Sequence, residues 1–190
     1  MTAAPGLVTP RLVLRALSAS DAGELLAGTA APGHRWARDY PAVADVVAAS
    51  AYLWAAEHVG EHAPWGPYQL VRRSDGSVIG GAGFHGPPVA GEVEIAYAVV
   101  PSARGLGYAS EAAGALVALA AGLGVASVRA EVAGGNLASQ RVALAAGLSG
   151  GPAADGSVCF TRELATTTGD RRRHRQRGAS GCLGPADLPR

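Results

Sequence analysis

Arg104-Gly105-Leu106-Gly107-Tyr108-Ala109 sets a guanidinium and two glycines directly before an alanine-rich run, Tyr108 to Gly122, that reads as a helix. The first turn of a helix leaves N–H groups without an internal partner, and the helix dipole adds partial positive charge there. A strand, a glycine loop and a helix in that order therefore form a place to hold phosphate. Gly105 and Gly107 lack a Cβ, so the loop can take positive φ and let a diphosphate approach the main chain. Ala109 keeps the first helical turn slim, and Arg104 adds a fixed charge with several donors suited to phosphate oxygens. Pro101 ends the preceding strand because it has no N–H to donate.

Two common phosphate binders fit poorly. A dinucleotide fold wants a third glycine, where Ser110 stands, and an acidic residue at the end of the next strand, whereas Glu131 lies inside Ser127 to Ala133. The chain beyond that strand is also too short for further parallel strands. A Walker loop requires lysine, and all 16 basic residues here are arginine.

Arg104-Gly-Leu-Gly107-Tyr-Ala109 resembles the Arg/Gln-x-x-Gly-x-Gly/Ala signature of the GCN5-related N-acetyltransferases (GNAT), whose loop holds the pyrophosphate of acetyl-coenzyme A. Three further stretches are similar to that family. Thr9-Pro-Arg-Leu-Val-Leu-Arg15 resembles the opening strand of the ribosomal-protein alanine N-acetyltransferase branch, and Glu94-Ile-Ala-Tyr-Ala-Val-Val-Pro101 resembles the family's fourth strand. Asn136-Leu-Ala-Ser139, with Val142 and Ala146-Gly147-Leu148, is similar to a helix of the same branch. The resemblance covers about residues 8 to 165.

It implies an N-acetyltransferase in which a primary amine, a protein N-terminal α-amine or a small amine, attacks the thioester of acetyl-CoA directly in a ternary complex. The cofactor contacts would come from Arg104, Gly105, Leu106, Gly107, Tyr108 and Ala109 at the diphosphate. Ala98, Val99 and Val100 would contribute main-chain groups at a bulge where the fourth and fifth strands splay, and Asn136 would hold the pantetheine. Glu94 precedes Ile-Ala-Tyr-Ala-Val as the catalytic glutamate does in histone-acetylating members, so it is the first choice of base. Glu131 is the second choice, since some N-terminal acetyltransferases of the family place their base on that strand. His85 is the third, because a histidine titrates near neutrality without help. The family often carries a tyrosine acid on the helix after the fifth strand, and Ala143 stands at that position. The ribosomal-protein branch likewise lacks that tyrosine and has a serine at the position matching Ser139, so the resemblance implies that Ser139 hydrogen-bonds the leaving sulfur. Two alternatives stay open: an acetyltransferase for a small molecule such as an aminoglycoside or amino acid, and a catalytically idle acyl-CoA-binding module.

The elements that must position these residues follow from periodicity. Arg11 to Leu17 alternates as a half-buried strand, and Ser18 to Asp21 supplies caps for a helix to about Ala27. A loop from Ala31 to Pro41 precedes a helix from about Ala42 to His58. Tyr68 to Arg73 and Val78 to Phe84 flank Ser74-Asp-Gly-Ser77 as a hairpin. The fourth strand, the signature helix, the strand Ser127 to Ala133, a helix from Leu137 to about Ala146 and a hairpin turning at Ala154-Asp-Gly156 complete the order. This succession predicts an α/β (α+β) domain with a mixed, mostly antiparallel sheet and helices on both faces, and the resemblance implies six to seven strands.

Composition agrees with one domain: 190 residues, 48% hydrophobic, 16% charged and a net charge of +1. That charge gives no reason to expect nucleic acid, and neither a membrane span nor a secretion signal is apparent. Cys159 and Cys182 are widely spaced, which predicts reduced thiols and a cytoplasmic protein. His58 and His62 flank Glu61 without a third ligand, so no metal is expected. Trp36, Tyr40, Trp54 and Trp65 fall where the family builds its acceptor wall. Residues 1–165 form the predicted domain. From Thr166 onward, Arg171-Arg-Arg-His-Arg-Gln-Arg177 and a Gly/Pro-containing end read as a disordered basic tail. Whether the chain forms a homodimer is open at this level.

Overall fold

The computed structural model describes residues 6–60, 63–153 and 156–165. The basic tail, His62 and the tip of the last hairpin at Ala154-Asp155 lie outside the described residues.

The chain runs β1 (Leu7–Val8), β2 (Leu12–Ala16), α1 (Ala19–Ala27), β3 (Arg35–Trp36), α2 (Val43–His58), β4 (Pro67–Arg72), β5 (Ser77–Phe84), β6 (Glu92–Val99), a 3₁₀ turn (Pro101–Ala103), α3 (Tyr108–Gly122), β7 (Ser127–Ala133), α4 (Leu137–Ala145), β8 (Ser149–Pro152) and β9 (Ser157–Glu163). One nine-stranded sheet has the order β1-β2-β4-β5-β6-β7-β9-β8, with β3 pairing β5 off that path. The two strands beyond the expected six to seven include β1 and β3, each of two residues. Segments so short carry no readable alternation, and β3 lies within the predicted loop between the first two helices.

Pairing is antiparallel except for β3–β5 and β6–β7. The β6–β7 pair is the parallel crossover through α3. Alternation separates two faces. Arg15, Gln69, Gly81 and Ala98 are in register across four strands, and Asp45 of α2 lies against Gly81. The other face, with Leu12, Leu14, Leu70, Val93 and Ile95, is packed under Ala112, Ala113, Leu116, Val117 and Ala120 of α3 and fully or nearly fully buried. Small helical side chains let α3 sit close to the strands; burial of the apolar face supplies most of its stability, since isolated helices of this length are marginal.

Local signals end the helices as expected. Ser18 and Asp21 form a reciprocal capping box on α1, and Gly28 closes it in the left-handed conformation. Cys159 lies on β9, and Cys182 lies outside the described residues. Among the described residues, no helix is long and apolar enough to cross a membrane.

Candidate active site

The site begins where two strands part. β6 and β7 pair only at Glu92↔Ser127, Val93↔Val128 and Glu94↔Arg129. Beyond that rung β7 stays paired with β9 as far as Ala133↔Ser157, while β6 stays paired with β5 as far as Val99↔Gly80. Each strand follows its outer neighbour, so the two diverge and leave a gap. A cleft of about 200 Å³ opens there, lined by Ile95, Ala96 and Tyr97 on one side, Ala130, Glu131 and Val132 on the other, and Asn136 and Ser139 of α4 at its end.

Which main-chain groups face the gap follows from the ladder. His85 N–H donates to Glu94 O at 3.0 Å and Val100 N–H donates to Ile79 O at 3.0 Å. Alternation between these bonds commits the main-chain groups of Glu94, Ala96 and Ala98 to β5 and turns those of Ile95, Tyr97 and Val99 toward the gap. Of Ala98, Val99 and Val100, Val99 is the one so oriented, and its carbonyl accepts from Arg104 Nε at 3.0 Å. The bulge expected on β6 is instead a register shift between β4 and β5, at Gln69/Val71. Gly80 and Gly81 stay in step with Val99 and Ala98, so the gap is produced by divergence rather than by an extra residue in β6.

At the wide end, Pro101–Ala103 turns the chain into Arg104, Gly105, Leu106 and Gly107. Gly105 has φ 76° and Gly107 has φ 80°. Gly107 is the N-cap of α3, and both positions are in the left-handed region that disfavours a side chain. Among the described residues, the N–H groups from Gly105 to Ser110 make no hydrogen bond. Asp39 reaches the start of this turn from the α1–α2 loop and accepts from the Ser102 N–H at 2.8 Å. The Ser102 hydroxyl, and to a lesser degree that main-chain bond, hold the Asp39 carboxyl below its ordinary pKa.

At the narrow end the three candidate bases come together. Glu94 Oε1 lies 3.3 Å from His85 Nδ1, Glu94 Oε2 lies 3.2 Å from Arg129 Nη2, and that same nitrogen lies 3.1 Å from Glu131 Oε2. Alternation puts all four side chains on the α1/α2 face. The hydrogen bond with His85 pulls the Glu94 pKa down, against burial, and the same bond raises that of His85. Glu131 lines the cleft itself, whereas Glu94 stands at its vertex. Arg129 was missed from the sequence. Its one available signal was alternation, since it precedes Glu131 by two on the same strand face.

On α4, Asn136 Oδ1 accepts from the Ser139 N–H at 3.1 Å, which caps the helix while both residues line the cleft. Tyr97 crosses from β6 to α4 and donates its hydroxyl to Ser139 O at 2.9 Å. Burial pushes the Tyr97 pKa up to about 12. Ala143, at the position of the family's tyrosine, is fully buried.

The aromatic residues divide. Trp36 packs edge-on against Tyr40 at 5.3 Å between ring centres, and Trp65 against Phe84 at 5.1 Å. Trp54 is exposed on α2 and stacks on His58, whose Nδ1 bonds the Trp54 carbonyl.

The site thus consists of a glycine loop at the start of α3, at the mouth of a gap between two diverging strands, with carboxylates at the gap's vertex. The sequence matches the acetyltransferase (GNAT) domain over residues 11–149, and the chain belongs to that acetyltransferase family. Enzymes of this family use acetyl-CoA as acetyl donor. Among solved structures, an acetyltransferase from Agrobacterium tumefaciens is similar at 24% identity and TM-score 0.60, over 85% of this chain and 96% of that one. RimL, a ribosomal L7/L12 α-N-protein acetyltransferase solved in complex with coenzyme A, is similar at 17% identity and TM-score 0.61, over 83% of this chain and 96% of that one. A search of curated protein sequences finds no match.

The residues present fit the cofactor. The loop offers unpartnered amides and Arg104 beside a helix N-terminus, and the gap offers an unpaired β6 edge of a length to run alongside an extended arm.

Proposed function

We propose that this chain is an N-acetyltransferase that moves the acetyl group of acetyl-CoA to a primary amine, with a peptide α-amine as the preferred acceptor. The observation that carries this reading is the position of Glu131 on the wall of the gap, one arginine away from Glu94 at its vertex. When bound, acetyl-CoA supplies the activated acyl group. The chain's own residues do the rest.

Arg104 and the amides from Gly105 to Ala109 hold the diphosphate. Main-chain groups of Ile95, Tyr97 and Val99 line the pantetheine, with Ala98 and Val100 behind them bonded to β5, and Asn136 closes the far end. Glu94, kept ionised by His85 and Arg129, places negative charge where an ammonium would enter. Glu131 accepts the amine proton, directly or through one water. Ser139 lies where its hydroxyl can meet the departing sulfur.

The preference for an α-amine rests on proton affinity. An α-amine has a pKa of about 8 and a lysine-like amine about 10.4, so the second costs roughly 3 kcal/mol more to deprotonate at the same pH. A carboxylate is a weak base, matched to the easier proton. RimL acts on a protein α-amine, which is consistent with this choice.

The test is thiol release from acetyl-CoA across a panel of peptides, aminoglycosides and alkyl amines. Turnover confined to peptides with a free α-amine supports the proposal. Turnover only on aminoglycosides or amino acids replaces the acceptor, and stabilisation by acetyl-CoA without turnover on any amine replaces the enzyme with an acyl-CoA-binding module.

A further inference from the structure

The N-terminal strand reaches the diphosphate loop from below. Arg11, one residue before β2, donates from Nη1 to the Leu106 carbonyl at 2.7 Å. Its Nε bonds Glu111 Oε2 at 2.7 Å, and its own N–H bonds Glu111 Oε1 at 2.8 Å. Thr9 Oγ1 bonds the same oxygen at 2.6 Å. The guanidinium also lies over the Tyr108 ring, 4.8 Å from its centre. The side chain is thus fixed at three points and spends one donor on a loop carbonyl 95 residues away.

That carbonyl matters because of peptide planarity. The Leu106–Gly107 bond is not among the cis peptides, so its oxygen and the Gly107 N–H point in opposite directions. A carbonyl turned toward an anion repels it, and an N–H turned toward it attracts it. We propose that Arg11 is a positioning residue for diphosphate binding: by drawing the Leu106 carbonyl back toward β2, it turns the Gly107 amide to the side where the first turn of α3 presents its free N–H groups. Arg11 also lies under Gly107 itself, since a Cβ built there would fall 3.3 Å from Nη2. A side chain at position 107 would be strained by the φ of 80° and would press on the arginine beneath it. The pair has a second effect. Glu111 is an anion in the first turn of α3, close to a site for a more highly charged anion, and Arg11 neutralises it there.

The inference rests on the cofactor reading above, and the experiment separates the two. Arg11→Lys keeps the charge opposite Glu111 but loses the planar fork that bonds Glu111 and Leu106 together. Calorimetry with coenzyme A is expected to show at least a tenfold weaker Kd for Arg11→Lys. KM for acetyl-pantetheine, which has no diphosphate, should stay unchanged. Glu111→Gln, which leaves Arg11 free to hold Leu106, should bind coenzyme A within threefold of the parent. Tyr108→Leu, which removes only the ring beneath the guanidinium, should give a loss of about threefold and carries the test if Arg11→Lys folds poorly. Coenzyme A binding unchanged in Arg11→Lys, or an equal loss for acetyl-pantetheine, overturns the role of Arg11. A loss in Glu111→Gln as large as in Arg11→Lys overturns it as well, because charge rather than carbonyl orientation would then govern the loop. Failure of the unmodified chain to bind coenzyme A retires the cofactor reading instead.

Discussion

Glu94 and Arg129 face each other across the last rung that joins β6 to β7, with 3.2 Å between carboxylate and guanidinium. Everything beyond that rung is open, so this ion pair sits at the vertex of the gap and closes it. Arg129 also holds Glu131 at 3.1 Å, which makes it the cation on which two proposed site carboxylates converge. Arg129→Met should leave those carboxylates facing each other uncompensated. The expected result is a loss of about 1.5–3 kcal/mol in stability by denaturant titration, the range for hydrogen bonds to charged groups. The loss should shrink as pH falls and the carboxylates protonate.

The same vertex sets a pH dependence. The Glu94 bond raises the His85 pKa and lowers that of Glu94. For His85, a raised folded-state value means stability that is fully present below the unfolded pKa and lost as pH rises through the folded one. For Glu94, a lowered value means stability present above the unfolded pKa and lost as pH falls through the folded one. The pair therefore contributes most in the mildly acidic window between them. In Glu94→Gln, NMR titration of the His85 ring should show its pKa shifted downward, and the melting-temperature difference from the parent should be largest in that window. An unmoved His85 titration would show the two side chains to be uncoupled in solution.

Arg104→Glu tests the diphosphate loop. At 100 times Kd a ligand that binds only the folded state stabilises by about 2.7 kcal/mol, so acetyl-CoA should raise the melting temperature of the parent by several degrees. The variant carries a negative charge at the loop and should lose that rise. Its melting temperature without ligand should change little, because Arg104 is exposed and, among the described residues, its side chain bonds only Val99 O.

How far the sequence went differs between the two ends of the gap. The geometry of the glycine loop was legible because it is local: Gly105, Gly107 and the start of α3 are contiguous, and their backbone demands are written in residue type. The bounds of α3 and β7 were legible for the same reason, through long periodic segments. The vertex was only partly legible. Glu94, Glu131 and His85 were each singled out, yet they come from three strands, and the arginine that joins them has no local signature. The splay of the fourth and fifth strands was expected from the family resemblance, but its cause was not legible in the residues. It depends on β7 following β9 while β6 follows β5, a property of pairing partners that no single segment records. β1 and β3 were missed because two-residue strands have no period.

Asp45 offers a test of the α1/α2 face. It is buried, accepts from the Ala42 N–H at 2.9 Å, and lies against Gly81. Burial pushes its pKa up to about 6, although the Ala42 bond works in the opposite direction. Because the folded state holds its proton more tightly than the unfolded chain, stability falls as pH rises from about 3.8 to about 6 and then stays level. Asp45→Asn keeps an acceptor for the cap and removes the buried charge. It should stabilise the protein at pH 7–8 by up to about 3 kcal/mol, and the gain should vanish near pH 4. A variant that is less stable than the parent at every pH would mean that the carboxylate is retained for its bonds and not merely tolerated.

The base assignment separates through kinetics. Removing a positioned general base costs about 10²–10⁴ in rate. If Glu131 takes the amine proton, Glu131→Gln should lower kcat by that amount with little change in KM for acetyl-CoA. The loss should be smaller for peptides with a low-pKa α-amine and should diminish as pH rises and more of the amine arrives deprotonated. Glu94→Gln should act mainly through KM for the acceptor, since it removes the negative charge at the vertex and leaves Glu131 in place on the wall. Ser139→Ala should lower kcat modestly and independently of acceptor pKa, because its hydroxyl would meet the sulfur and not the amine. The opposite pattern, with Glu94→Gln carrying the kcat loss and Glu131→Gln silent, would assign the proton transfer to Glu94 despite its lowered pKa, and Arg129 would then have to move away from it during turnover.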